Sequence, residues 1–155
     1  MPRNNHSTNT NHFTRYRSHT DLVTIIARAR EHPYSVVAVY TYAIAILVAS
    51  VIQPSGADLA ALGPLGLVGM DKWLHAGAYV GLGFGVAAAL RAQRATVLVA
   101  AIAIATAYGV GVELFQVMAP DRMFSVADML ANALGAVVGG LLWTVVNIFE
   151  FDTRR

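Results

Sequence analysis

Four long apolar runs divide this 155-residue chain. Each is close to the roughly 20 residues that carry a helix across the hydrocarbon core of a bilayer. The first covers residues 34–53, with Pro33 before it and Pro54 after it. The second covers residues 72–90, the third residues 95–118 with Pro120 beyond, and the fourth residues 126–149. Helices of a soluble bundle keep a polar stripe, and these runs have none. The pattern therefore predicts an all-α protein, a membrane bundle of four transmembrane helices. Residues 1–33 form a polar tail, expected to be disordered as far as about residue 19 and then to form an interfacial helix over residues 20–32. Residues 34–150 form the membrane domain, and residues 151–155 form a short tail.

Composition sharpens this picture. The chain is 56% hydrophobic and 13% charged, too apolar for a soluble domain of this length. It has no cysteine, which excludes disulfides, thiolate catalysis and Cys-ligated zinc. The net charge of +2 and the absence of a basic patch with interleaved aromatics argue against a nucleic-acid partner. No short apolar core with a small-residue cleavage site precedes the first run, so that run is expected to act as its own signal anchor.

The basic residues set an orientation. Arg3, Arg15, Arg17, Arg28 and Arg30 lie in the tail, Arg91 and Arg94 in the second link, and Arg154 and Arg155 at the end. With four spans these fall on one side, leaving Lys72 and Arg122 on the other. The positive-inside rule then places both termini in the cytoplasm of a multi-pass plasma-membrane protein. Membrane lipids are the implied partners.

The same threading gathers the polar breaks. Asp71, Lys72 and His75 open the second run, Glu113 and Gln116 close the third, and Asp128 and Asn132 open the fourth. At a helical rise of about 1.5 Å per residue, three helices bring these groups to similar depth near the outer surface. Nothing ionisable lies beneath them. Tyr40, Thr41, Tyr42, Thr106 and Tyr108 are the only mid-membrane polar candidates, which argues against an ion path through one subunit. Ionisable residues inside a membrane mark functional sites by default.

These residues also carry a resemblance. Asp71-Lys72-Trp73-Leu74-His75 with Tyr79 resembles the D-K-x-x-H-x-x-x-Y motif of VanZ-like membrane proteins. Glu113-Leu114-Phe115-Gln116 is similar to that family's E-x-x-Q. Pro120, Arg122, Ser125, Asp128, Asn132 and Gly135 are similar to its P-x-R-x-x-S-x-x-D-x-x-x-N-x-x-G. The resemblance covers about residues 34–146 and implies a small, helical, polytopic protein. The family takes its name from a protein associated with resistance to teicoplanin-type lipoglycopeptides. It brings no reaction with it.

Each residue has two readings. Asp71 either caps a helix N-terminus or belongs to the site, and Lys72 either snorkels to lipid phosphates or grips a substrate. His75 is a candidate acid, base or ligand, or one satisfied by a single interhelical hydrogen bond. Glu113 is a candidate general acid or base, or the partner of Arg122 in an ion pair. Arg122 suits a phosphate or carboxylate. Ser125 with Asp128 reads as a capping-box variant. Tyr79, Gln116 and Asn132 are substrate contacts or hydrogen bonds between helices. Gly77, Gly81 and Gly85, Gly135 and Gly139, and Gly109 form small-residue faces for helix packing within or between subunits.

Several functions fit. In one, His75, Glu113 and Asp128 supply acid–base chemistry on a lipid-linked or cell-envelope component, with Asp71, Lys72, Tyr79, Gln116, Arg122 and Asn132 binding it. In a second, the same site binds a lipid head group or amphiphilic drug without chemistry. In a third, His75, Glu113 and Asp128 hold a divalent metal. A small transporter and a purely structural cluster are the remaining readings.

Overall fold

The computed structural model describes residues 33–52, 62–118 and 124–152. The polar tail, its interfacial helix, Arg122 and the last three residues lie outside the described residues. Four helices follow in order: α1 (Pro33–Ile52), α2 (Met70–Ala89), α3 (Ala95–Gln116) and α4 (Val126–Asp152). Each matches an apolar run to within a few residues. The protein is all-α over the described residues, and α1, α3 and the Val126–Phe149 part of α4 are long and apolar enough to cross a membrane. The second helix falls short of that measure because Asp71, Lys72 and His75 open it and glycines fill its middle.

That helix is instead the one most enclosed by protein. It packs most extensively against α4 and also touches α1 and α3. Tyr79, Leu82, Gly83, Val86, Ala87 and Ala89 are buried along it. Its glycines and those of α4 explain the fit. A Cβ on Gly83 would fall on the carbonyl oxygen of Ala136, and one on Gly135 on that of Ala76. One on Gly139 would meet the Val80 carbonyl oxygen and lie 2.7 Å from the Phe84 nitrogen. The two backbones are therefore in direct contact over several turns, as small residues permit. The pairing runs from Ala76 with Gly135 to Phe84 with Trp143, whose rings meet edge to face at 5.9 Å. The helices thus lie side by side and parallel.

Gly135, Gly139 and Gly109 serve packing within the chain. Gly109 admits the Tyr79 ring, which would come within 2.9 Å of an added Cβ. The 77/81/85 face of α2 is less uniform. Gly81 admits Tyr42 of α1, while among the described residues an added Cβ on Gly85 would meet Val39 alone and one on Gly77 would meet nothing within 4 Å. The glycine of α2 that meets α4 is Gly83, off that face.

α2 ends in a Schellman turn. The Ala92 amide donates to the Ala87 carbonyl at 2.9 Å and the Arg91 amide to Ala88 at 3.0 Å, with Arg91 at φ 46° where glycine is usual;. This reverses the chain within five residues, so α3 runs back antiparallel. Side-chain donors attach α1: Tyr42 Oη to the Ala78 carbonyl at 3.1 Å, and Tyr108 Oη to the Ala43 carbonyl at 2.6 Å. Two of the mid-membrane hydroxyls are thus bonded to backbone carbonyls, and they join helices.

Gly139→Ala is expected to cost about 1–3 kcal/mol, as overpacking does, because the added methyl meets backbone that cannot rotate away. Gly77→Ala, with nothing within 4 Å, is expected to leave stability unchanged or slightly raised. Thermal denaturation of the two variants in detergent checks the difference; equal melting temperatures would contradict the packing.

Candidate functional site

The parallel packing of α2 and α4 aligns their polar N-terminal turns. Ser125 caps α4, its Oγ accepting the Asp128 amide hydrogen at 3.2 Å. In a reciprocal capping box the third residue would reach back to the cap's own amide. Here the Ser125 amide is taken by the Glu113 carboxylate of α3. Asp128 is left to pair with Lys72, whose Nζ lies 2.7 Å from Oδ1. Lys72 also pairs with its neighbour Asp71. The ammonium is therefore shared between two carboxylates rather than turned toward lipid phosphates.

One turn deeper, His75 Nδ1 lies 3.1 Å from Asn132 Oδ1. Asn132 is 1% exposed and Glu113 2% exposed. His75, Glu113 and Asp128, from three helices, each offer a donor atom within 4.8 Å of the others. Tyr79 is buried beside them under Gly109, its ring 6.5 Å from that of Tyr108. Among the described residues, Tyr79 Oη, Glu113 Oε1 and Asn132 Nδ2 are buried with no hydrogen-bond partner. Buried polar atoms are normally paired, and each exception asks for an explanation.

A family model described as VanZ/LLP1 matches residues 5–147. The chain belongs to the VanZ/LLP1 family. No curated protein and no solved structure matches it. In this VanZ-like chain the described residues of the three motif segments, distant in sequence, meet at one end of the bundle. Asp71, Lys72, His75, Tyr79, Glu113, Asp128 and Asn132 gather there. Gln116 stands slightly apart: its Nε2 donates to the Ser50 carbonyl at 2.9 Å, tying α3 to the last turn of α1.

Beside the cluster lies an open cavity of about 620 Å³ between α1 and α2. Tyr42, Ile46, Ala49, Ile52, Leu74 and Ala78 make its walls apolar, and His75 and Tyr79 form its polar end. The sequence reading did not include α1 in the site. Ser50, a polar residue in the last turn of α1, is the available signal.

In this VanZ-like protein the described cluster holds three carboxylates, Asp71, Glu113 and Asp128, against the single ammonium of Lys72. If all are ionised and His75 is neutral, the balance is −2. Removing Lys72 leaves Asp128 facing two other acids. The Lys72–Asp128 pair is partly buried, so Lys72→Met is expected to cost between the ~1 kcal/mol of an exposed pair and the ~3 kcal/mol or more of a buried one. Adding Asp128→Asn should recover most of that loss. A double-mutant cycle read by thermal unfolding measures it; additive losses would show that the pair contributes nothing.

Proposed function

We propose that this protein crosses the plasma membrane four times with both termini in the cytoplasm. Its polar cluster then opens outward and binds a lipid-linked or cell-envelope amphiphile, seating the apolar chain between α1 and α2. The carrying observation is that His75 and Tyr79 belong to both the polar cluster and the apolar cavity. A ligand bound there has its head group beside His75 and Glu113 and its tail against Ile46, Ala49 and Leu74. The cavity's size is within the ~300–1,000 Å³ usual for ligand pockets.

Support for the fourth crossing comes from the packing. α2 lies parallel to α4 from the Lys72–Asp128 pair to the Phe84–Trp143 contact. A helix that follows a spanning helix over that length crosses the same layer. Its low hydropathy is tolerable because its neighbours, rather than lipid, cover most of it. The arginine distribution supports the orientation.

In this reading His75 and Glu113 are the residues that act on the head group. The Nδ1 contact with Asn132 fixes the imidazole ring, and Lys72 holds Asp128 at the rim. A family association with lipoglycopeptide resistance accords with an envelope component as ligand.

Native mass spectrometry of the protein extracted with its lipids provides the test. A bound amphiphile is expected at about one per chain. Ala49→Trp, which fills the cavity, should reduce its occupancy at least tenfold. Glu113→Gln should lower any turnover or cellular phenotype by at least ~10²-fold. Equal occupancy in wild type and Ala49→Trp would remove the proposed tail site. Full activity in a folded Glu113→Gln protein would remove the chemistry.

A further inference from the structure

We propose that His75, Glu113 and Asp128 form a divalent-cation site, and that the bound ion is what allows the cluster to accept a phosphate-type head group. The proposal rests on the reading of this cluster as the head-group site and adds the chemistry that the site selects.

The first argument is charge. With its three carboxylates ionised and His75 neutral, the described cluster stands at −2 and repels an anionic head group, and the Lys72 ammonium is already shared by Asp71 and Asp128. One divalent ion brings the described cluster to neutrality. Its open coordination positions then offer phosphate oxygens a direct partner.

The second argument is the donor set. One imidazole and two carboxylates from α2, α3 and α4 converge within 4.8 Å. Three protein ligands with an open position characterise catalytic zinc sites, and carboxylate-rich sets also suit manganese. Zinc bonds to such donors are about 2.0–2.2 Å long, which puts tetrahedral ligand atoms about 3.4 Å apart. The side chains therefore need to close by no more than roughly 1.4 Å, within reach of small rotations about their χ angles.

The third argument is independent of the donor count. Glu113 Oε1 is fully buried, and no described residue donates to it. The other side of the carboxylate takes the Ser125 amide. This leaves one oxygen without a described donor, in a carboxylate that has an oxygen within 4.8 Å of the His75 and Asp128 donor atoms. His75 is arranged in the same way. A contact from Nδ1 to the Asn132 carbonyl oxygen requires the proton on Nδ1, leaving the Nε2 lone pair available. Metal-bound histidines almost always have their other ring nitrogen tied down like this. Asn132 is thus a positioning residue, held at 1% exposure by the α2–α4 contact.

The test uses the full chain in detergent, stripped with a chelator and reloaded with Zn²⁺ or Mn²⁺. Elemental analysis and calorimetric titration are expected to show one ion per chain, with a raised melting temperature because the ion binds the folded state. Glu113→Gln, close in shape to the native residue, should weaken binding at least tenfold, as should His75→Gln if the first variant fails to fold. Gly77→Ala should bind like wild type. No ion at millimolar concentration in folded wild-type protein, or equal binding in folded Glu113→Gln and His75→Gln, overturns the site. Decyl phosphate then probes the ligand class. The loaded protein should bind it at least tenfold more tightly than the stripped protein, and more tightly than inorganic phosphate. Equal affinity with and without the ion overturns the role in head-group selection. Loss of the preference over inorganic phosphate in Ala49→Trp, with the ion retained, supports both readings. Decyl phosphate binding by folded protein that takes up no ion on reloading would overturn the metal site alone and leave the amphiphile site standing.

Discussion

The close approach of α2 and α4 is the constraint from which the rest follows. Without side chains at Gly83, Gly135 and Gly139 the two backbones touch, and they do so in parallel. Parallel contact fixes which residues share a level: Lys72 with Asp128, and His75 with Asn132. A larger residue at any of the three would meet the backbone of the facing helix and push the two apart. The polar site is therefore a consequence of backbone packing and would not be assembled by its own charges. In an apolar surrounding this order of cause matters, because interhelical polar contacts are worth only about 1–2 kcal/mol or less, whereas extended van der Waals contact accumulates over many atoms.

Given that alignment, the electrostatics have few solutions. Three carboxylates and one ammonium meet there, Glu113 buried and the others partly exposed, and an uncompensated buried charge is costly. Lys72 bridges two acids, the Ser125 amide serves the third, and one Glu113 oxygen is left over. The α4 cap is reorganised by this sharing. Ser125 still caps Asp128's amide, but its own amide serves another helix, which releases the Asp128 side chain to Lys72. Local helix-capping chemistry and the site are thus one network, and Asp128 belongs to both.

Much of the fold was legible because apolar length and flanking prolines mark helices well. The runs at 34–53, 72–90, 95–118 and 126–149 became α1–α4 with small shifts at their ends. The gathering of His75, Glu113 and Asp128 was legible too, since alternating helix directions force polar ends together. The partners were harder to read. Lys72 could equally have reached lipid, and only the glycine-mediated register shows that it meets Asp128. Gly83 lies off the four-residue repeat, and at Gly77, on the repeat, an added Cβ would meet no described residue within 4 Å. The apolar cavity was invisible in the sequence for a general reason: Ile46, Ala49 and Leu74 look the same in sequence whether they face lipid or a groove. Gln116 does join two helices, through a backbone carbonyl at Ser50 that no side-chain pattern encodes.

The central claim is that the cluster faces outward, and the absence of native cysteine makes it directly measurable. Single cysteines replace Phe124, exposed beside the α4 cap, and Gln93, exposed in the turn between α2 and α3. Intact cells are treated with a membrane-impermeant maleimide before and after permeabilisation. The account predicts labelling at position 124 in intact cells and at position 93 only once the membrane is opened. Labelling of position 93 in intact cells, or protection of position 124 until permeabilisation, would contradict it.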